Sequence, residues 1–325
     1  MKDRLTGAPM RIALVGYGPV GRAIAPLLSA AGKEVRIVQR RAPAEIPRGC
    51  SFCSADVEDA AEASRACSDV DAVVCAVGIP YVWRVYARAW PLVMRNLLEA
   101  CARSGARLVF ADSLYMYGPQ RRPLVEDMPL TSFGRKPRTR AEVTKLWQDA
   151  HAQGRVRAVA VRASDFYGPD VGTSVLSTYG VARLLAGKRA LAPYPPDQPH
   201  DFTYVPDYAR AVATLVDAPD DAYGQAWHVP NAPTRTLRGL LKLAADLAGV
   251  RPRISVLPEA LAPIIGVLQP QVRELAEMRF QWDRPYLVDA SKFATRFWDD
   301  PTSFESGLTA TIDWYRRASQ AKSGD

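Results

Sequence analysis

The run Val15-Gly16-Tyr17-Gly18-Pro19-Val20-Gly21-Arg22 constrains the fold more than any other stretch of the sequence. It follows a short apolar run, Met10–Val15, and opens a segment, Pro19–Ala31, in which Val20, Ile24, Leu27 and Leu28 recur at helical spacing. A G-x-G-x-x-G pattern between a strand and a helix has a physical purpose at each glycine. The first allows a tight turn, the second lets the backbone approach a pyrophosphate, and the third lets helix and strand pack closely. The unpaired N–H groups at the start of the helix favour anionic phosphates. Gly16, Gly18, Pro19, Val20 and Gly21 are therefore expected to hold a dinucleotide.

The alternation continues. Glu34–Val38, Ser51–Ala55, Ala72–Ala76, Leu108–Ala111 and Val156–Val161 read as strands, with helices at 57–66, Trp83–Arg103 and 138–152 between them. This order predicts an α/β chain with a Rossmann-type, doubly wound parallel sheet. All strands then point their carboxyl ends at one edge, where a ligand binds. Ala76, Val77 and Gly78 follow the fourth strand and are expected beside the cofactor at that edge.

Past Gly168–Pro169 the regularity stops. Segment 190–200 carries Pro193, Pro195, Pro196 and Pro199 and reads as loop, His200–Val205 as a strand, and 207–217 as a helix. Thr236 is placed to cap a helix running to Ala248. The expected division is a nucleotide-binding domain at 10–170, with about 201–230 and 286–292 added. A smaller C-terminal α/β substrate lobe takes about 171–200, 231–285 and 293–317, and residues 318–325 are a loose tail.

The tip of the second strand selects the cofactor. An acidic residue there would accept from ribose hydroxyls, but this chain has Gln39-Arg40-Arg41. Two guanidinium groups suit a 2′-phosphate, so NADP is expected rather than NAD. Asp56 could accept from the adenine amine, or cap a helix ahead of Val57.

Charge and cysteine content narrow the class. The net charge is +8 over 325 residues, small for the length, and 34 of the 42 basic residues are Arg. Arg121–Arg122 and the 135–140 cluster lack interleaved aromatics, so no nucleic-acid partner is expected. No apolar run reaches membrane-spanning length, and no membrane association is expected. The five Cys all lie in the first third. Cys50 and Cys53 form a C-x-x-C with no second pair and no nearby His, so no metal is expected. The reading is a reducing, cytoplasmic location.

Several stretches together resemble the extended short-chain dehydrogenase/reductase family, also called the NAD-dependent epimerase/dehydratase family. Besides the glycine loop, Asn96-Leu97-Leu98-Glu99-Ala100 matches, as does the strand Arg107–Phe110. Ser113-Leu114-Tyr115-Met116-Tyr117-Gly118 is similar to the family's Ser-x-x-Val-Tyr-Gly, and Arg162-Ala163-Ser164-Asp165-Phe166-Tyr167-Gly168-Pro169 to its Arg-x-x-Asn-Val-Tyr-Gly-Pro. His200-Asp201-Phe202-Thr203-Tyr204-Val205-Pro206-Asp207 resembles its Arg-Asp-Phe-x-x-Val-x-Asp, and Val288–Lys292 with Gly307–Tyr315 its close. The resemblance covers about residues 10–317. It implies a small-molecule substrate, often a nucleotide sugar, and a homodimer paired through helices 83–103 and 138–152.

The resemblance also implies a Tyr-x-x-x-Lys pair and a Ser. The Tyr exchanges a proton with the substrate oxygen, the Lys holds the nicotinamide ribose, and the Ser orients the same oxygen. Ser113 matches the Ser. Lys136 stands at the Tyr position and Arg140 at the Lys position. Arg140 can anchor ribose hydroxyls but cannot act as a base. Lys136 donates a proton only where burial and its neighbours Arg135, Arg138 and Arg140 destabilise the ammonium. The same cluster also fits a solvated basic loop, and Pro137 suggests a helix start that turns Lys136 from the cleft. Tyr115, Tyr117, Tyr167, Asp112 and Asp165 stand in motifs near the cleft as other groups that could move a proton, although the resemblance implies that Tyr117 and Tyr167 more often pack beside the cofactor. His200, where the family often has a substrate-binding Arg, could shuttle one.

These features predict an NADP-dependent reductase of a carbonyl or imine, with Ser113 orienting the acceptor. The missing Tyr also admits a non-redox isomerase, cyclase or lyase on the same scaffold, or a cofactor-binding regulator without chemistry.

Overall fold

Val15, the last residue before the glycine loop, lies between Val38 and Cys75 on two parallel neighbours. This pairing places the loop at the centre of the main sheet. The computed structural model describes residues 8–192, 194–256, 274 and 276–321. In chain order it begins with β1 (Arg11–Val15), α1 (Pro19–Ala30), β2 (Glu34–Gln39), β3 (Cys50–Ser54), α2 (Ala60–Ala66) and β4 (Ala72–Cys75). Then follow α3 (Trp83–Ser104), β5 (Arg107–Asp112), α4 (Lys136–Ala152), β6 (Ala158–Arg162) and β7 (Asp165–Tyr167). The remainder comprises α5 (Ala182–Leu185), β8 (Ala190–Ala192), β9 (Pro199–His200), β10 (Phe202–Tyr204) and α6 (Val205–Asp217). It closes with β11 (Ala226–His228), β12 (Arg235–Thr236), α7 (Leu237–Ala248), β13 (Ile254–Val256), α8 (Ser291–Arg296) and α9 (Phe304–Ala321).

Seven parallel strands form the main sheet in the order β3-β2-β1-β4-β5-β6-β11. The chain runs outward from β1 to β3 and then crosses back to β4. The strand order therefore reverses between β1 and β4, where open α/β sheets bind ligands. Alternate residues of β1 serve opposite faces. Ile12 and Leu14 join Ile24 of α1 and Val212 of α6 in one core, while Ala13 and Val15 join Trp90 of α3 and Trp147 of α4 in the other. Trp147 is fully buried, and truncating such a side chain to alanine costs about 3–5 kcal/mol. A third core, with Tyr167, Phe202, Leu240 of α7 and Leu308 of α9, lies beyond the sheet.

Several sequence boundaries shift for identifiable reasons. The helix expected at 57–66 starts at Ala60, because Asp59 caps it by accepting from Glu62 N at 2.9 Å. Asp56 is thus not the cap ahead of Val57. Segment 190–200 is not all loop. Ala190–Ala192 pairs in parallel with Ile254–Val256, and Pro193 lies outside the described residues. The strand expected over His200–Val205 divides into β9 and β10, and Val205 already begins α6. The expected tail at 318–325 is helical as far as Ala321; 322–325 lie outside the described residues. Thr236 caps α7 as expected, its Oγ1 accepting from Gly239 N at 3.0 Å. The cluster at 135–140 is not a solvated loop: Lys136 and Arg140 are buried within α4.

Candidate active site

Gly16 has φ +94°, and a Cβ there would lie 2.5 Å from the Ala76 carbonyl oxygen. Only glycine fits a backbone so placed. A Cβ on Gly21 would strike the carbonyl oxygen of Gly16, so this glycine serves the close helix–strand contact. Gly18 differs: a Cβ there meets nothing within 4 Å, and the same holds at Gly78. No side chain caps α1, and Pro19 occupies its first turn. The remaining N–H groups of that turn are therefore available to an anion. The loop thus fits a dinucleotide pyrophosphate by its open backbone at Gly18 and its uncapped helix. Ala76, Val77 and Gly78 leave β4 beside it.

At the tip of β2, Arg40 and Arg41 are exposed, and neither side chain is paired with a carboxylate among the described residues. Asp56 Oδ1 accepts from Glu58 N at 3.0 Å, and Val57 lends its carbonyl to Asn96 Nδ2 at 3.0 Å. These contacts hold a turn and leave the second oxygen of Asp56 without a described partner.

The carboxyl ends of β5 and β6 carry a buried charge cluster. Asp112 and Arg162 are register partners on these strands. Asp112 Oδ2 accepts from Arg162 Nε at 3.3 Å, while Oδ1 accepts from Ser113 N at 2.8 Å and from Arg140 Nη2. Burial opposes the charge of Arg140, and Asp112 more than restores it, so the net shift is upward and Arg140 is a fixed cation. Its guanidinium lies 4.1 Å from the Trp90 ring and 4.9 Å from Phe110. Arg140 Nε and Nη1 and Ser113 Oγ are buried without a protein hydrogen-bond partner. Buried polar groups are normally satisfied, so unpaired ones at a sheet edge mark a place for a ligand. They fit the ribose hydroxyls and a substrate oxygen.

Three sequence candidates are already engaged. Lys136, 1% exposed, places Nζ 2.7 Å from Glu274 Oε2 and 3.4 Å from Glu277 Oε2, and donates to the Glu274 carbonyl at 2.7 Å. Its Nζ is taken up by two carboxylates and a carbonyl, which speaks against the expected role as proton donor to a substrate. Tyr117 is also occupied. His228 Nδ1 lies 2.9 Å from the carbonyl of Asp289, so Nδ1 carries the proton and Nε2 accepts from the Tyr117 hydroxyl at 2.8 Å. Arg162 Nη1 donates to the same hydroxyl at 2.5 Å. Burial lifts the Tyr117 hydroxyl to about 12 despite the Arg162 charge. Burial, then the charge of Arg162, depresses His228 to about 3. His200, 1% exposed, lies with Nε2 3.0 Å from Asp165 Oδ2. It is a partner of that carboxylate, not a free group in the cleft.

Glu274, Glu277, Trp282 and Tyr286 were not legible from the sequence. Glu274 and Glu277 reach the starts of α3 and α4, accepting from Trp83 N at 2.9 Å and Lys136 N at 2.9 Å. Their three-residue spacing is ordinary for one helical face, and no local pattern names a partner more than 130 positions away. Among the described residues no helix is long and apolar enough to cross a membrane.

Known proteins share this family and fold. The model of the NAD dependent epimerase/dehydratase family matches residues 13–229. The chain is 24% identical over 301 residues to dTDP-glucose 4,6-dehydratase of Mycobacterium tuberculosis H37Rv, covering 86% of this chain and 82% of that one. It is 29% identical over 273 residues to dTDP-6-deoxy-L-talose 4-dehydrogenase (NAD(P)(+)) of Kitasatospora kifunensis, covering 77% and 83%. The fold superposes on UDP-glucuronic acid 4-epimerase from Bacillus cereus, solved with UDP-glucuronic acid and NAD, at a TM-score of 0.80 and 19% identity, covering 95% of this chain and 100% of that one. With a family model that spans about two thirds of its length, this chain belongs to the NAD-dependent epimerase/dehydratase family.

Proposed function

We propose that this protein is a nicotinamide-dinucleotide enzyme that moves a hydride to or from the carbinol carbon of a nucleotide sugar. The observation that carries the reading is the set of unpartnered buried groups, Ser113 Oγ with Arg140 Nε and Nη1, on the sheet edge that also bears the open backbone of Gly18. When bound, the cofactor supplies or removes the hydride. Gly16–Gly21 take its pyrophosphate at the start of α1, and Asp56 and Val57 border its adenine. Ala76, Val77 and Gly78 line the passage to the nicotinamide. Arg140 donates to the ribose hydroxyls with the two nitrogens that Asp112 leaves unused. Ser113 hydrogen-bonds the reacting oxygen and fixes its distance from the hydride.

The proposed cofactor is NADP, because Arg40 and Arg41 occupy the strand tip where a carboxylate would bind a free 2′-hydroxyl. The NAD of the B. cereus epimerase supports the opposite preference. The substrate is proposed to bind in a lobe of residues 171–200, 231–285 and 293–317, of which 193, 257–273 and 275 lie outside the described residues. Names of relatives point to nucleotide-linked sugars. A dimer through α3 and α4 would join faces carrying Arg88, Arg95, Glu99, Glu142 and Lys145. Such a charged interface is salt-sensitive, so light scattering at low and high salt tests it.

A non-redox outcome has one observation in its favour, the loss of the family's Tyr to Lys136. Incubation with UDP-glucuronic acid, UDP-glucose or dTDP-glucose and NADP or NAD separates the two, since each sugar offers a carbinol to oxidise. Gain of reduced-cofactor absorbance with formation of a ketone supports net hydride transfer. A product formed at constant absorbance supports isomerisation or elimination. No product with any of the three sugars counts against the substrate class.

A further inference from the structure

Two departures from the family pattern touch each other. Asp165 stands where the family motif has Asn, and His200 where it often has Arg. His200 Nε2 lies 3.0 Å from Asp165 Oδ2. The two residues come from separate segments that the β7–β10 pairing brings together, with Phe202 opposite Asp165.

The imidazole is fixed from both sides. Its ring stacks on Trp282 at 4.1 Å and 12° and on Tyr286 at 5.2 Å and 25°. Its Nδ1 is buried without a hydrogen-bond partner. When Asp165 is a carboxylate it only accepts, so in that state the imidazole proton sits on Nε2 and points at Asp165. The carboxyl group itself is the accessible member, 28% exposed against 1% for the imidazole. Burial raises the hydroxyls of Tyr81, Tyr115 and Tyr286, and the nearby Asp165 carboxylate adds to that shift. Tyr115 is two residues past Ser113, in the turn that follows β5. Asp165 is three residues past Arg162, the register partner of Asp112. Ser113 directly follows β5, and Asp165 opens β7 three residues past the end of β6, the neighbour of β5.

We propose that Asp165 is the acid–base residue of the reaction and that His200 positions it. The proposal rests on the hydride-transfer reading above. It supplies the proton step that Lys136, bound by two glutamates, and Tyr117, donating to His228, do not. In reduction, the dihydronicotinamide gives a hydride to the substrate carbon and is oxidised. The C=O π bond breaks, and its oxygen takes a proton from the Asp165 carboxyl to become a hydroxyl. Solvent then reprotonates Asp165. In oxidation, the Asp165 carboxylate takes the hydroxyl proton as the hydride leaves.

Asp165→Asn tests this with almost no change in shape and returns the amide of the family motif. With a turned-over nucleotide sugar, kcat is expected to fall at least about 100-fold while NADPH affinity changes by less than about twofold. His200→Gln is expected to lower kcat by less and to leave KM near its wild-type value. A second readout needs no turnover. The Nε2–H of His200 is expected as a downfield, slowly exchanging proton resonance, absent in His200→Gln and moved upfield in Asp165→Asn, because a neutral amide oxygen accepts more weakly than a carboxylate. Retention of kcat within about threefold in Asp165→Asn overturns the proposal, since general acid–base groups contribute more than that. If none of the sugars turns over, the functional reading fails on its own. The pair is then judged by the resonance, whose absence from the wild type overturns it.

Discussion

Lys136 Nζ stands 2.7 Å from Glu274 Oε2, with both side chains almost closed to solvent. Glu274 also accepts from Trp83 N, and Glu277 from Lys136 N, so the pair binds the 274–277 segment to the starts of α3 and α4. Removing one partner leaves buried charge uncompensated. Lys136→Met is expected to cost about 3 kcal/mol in urea unfolding, with NADPH affinity unchanged. An unchanged unfolding midpoint would contradict the structural assignment.

Two glycines of one loop are expected to respond differently. Gly16→Ala forces a Cβ onto the Ala76 carbonyl at positive φ and should lower the melting temperature. Gly18→Ala has open space for its methyl and should fold with near wild-type stability. Its methyl then fills the approach of the pyrophosphate, and dinucleotide affinity should fall at least tenfold, roughly the worth of one good contact. Equal losses of stability in both variants would argue for a merely structural loop. Calorimetric melting and binding titration check the pair.

His228 gives acid sensitivity a sign. Its ordinary value of 6.5 falls to about 3 in the folded chain, first through burial and then through Arg162. The unfolded chain takes up this proton below about pH 6.5 while the folded chain resists it. The contribution is complete above pH 6.5 and is lost as pH falls toward 3, by at most about 1.4 kcal/mol per pH unit. Buried Asp201 and Asp207 are shifted upward by burial and act in the opposite sense, so the test is a difference. The stability gap between wild type and His228→Gln should shrink between pH 7 and pH 5 in urea titrations. A constant gap contradicts the assignment of neutral His228.

Cofactor choice is tested at the β2 tip. Arg40→Ala with Arg41→Ala should weaken NADPH by about 1.5–3 kcal/mol, the worth of a charged hydrogen bond, and leave NADH unchanged. Equal effects on both cofactors would show that these side chains do not read a 2′-phosphate. Fluorescence titration of each cofactor gives the comparison.

The nucleotide half was legible because its signals are local. Gly16, the strands β1 to β6 and the helices between them follow from period and punctuation within short windows. β11 was not, since Ala226–His228 is three residues long and gains its place only by pairing with β6. The site was legible in its residue types but not in its pairings. Lys136, Arg140, Tyr117 and His200 were visible as departures or motif members, yet each is defined by a distant partner: Glu274, Asp112, His228 and Asp165. Nothing in the spacing of those residues reports such contacts, which arise from tertiary packing.

Both the hydride transfer and the proton step require a nicotinamide dinucleotide at this sheet edge. Isothermal titration of the wild-type chain with NADPH, NADP, NADH and NAD measures that directly. The expected result is saturable binding of one dinucleotide per chain, tighter for the 2′-phosphorylated forms and at least tenfold weaker in Gly18→Ala. No saturable binding of any of the four by a folded wild-type chain would contradict it.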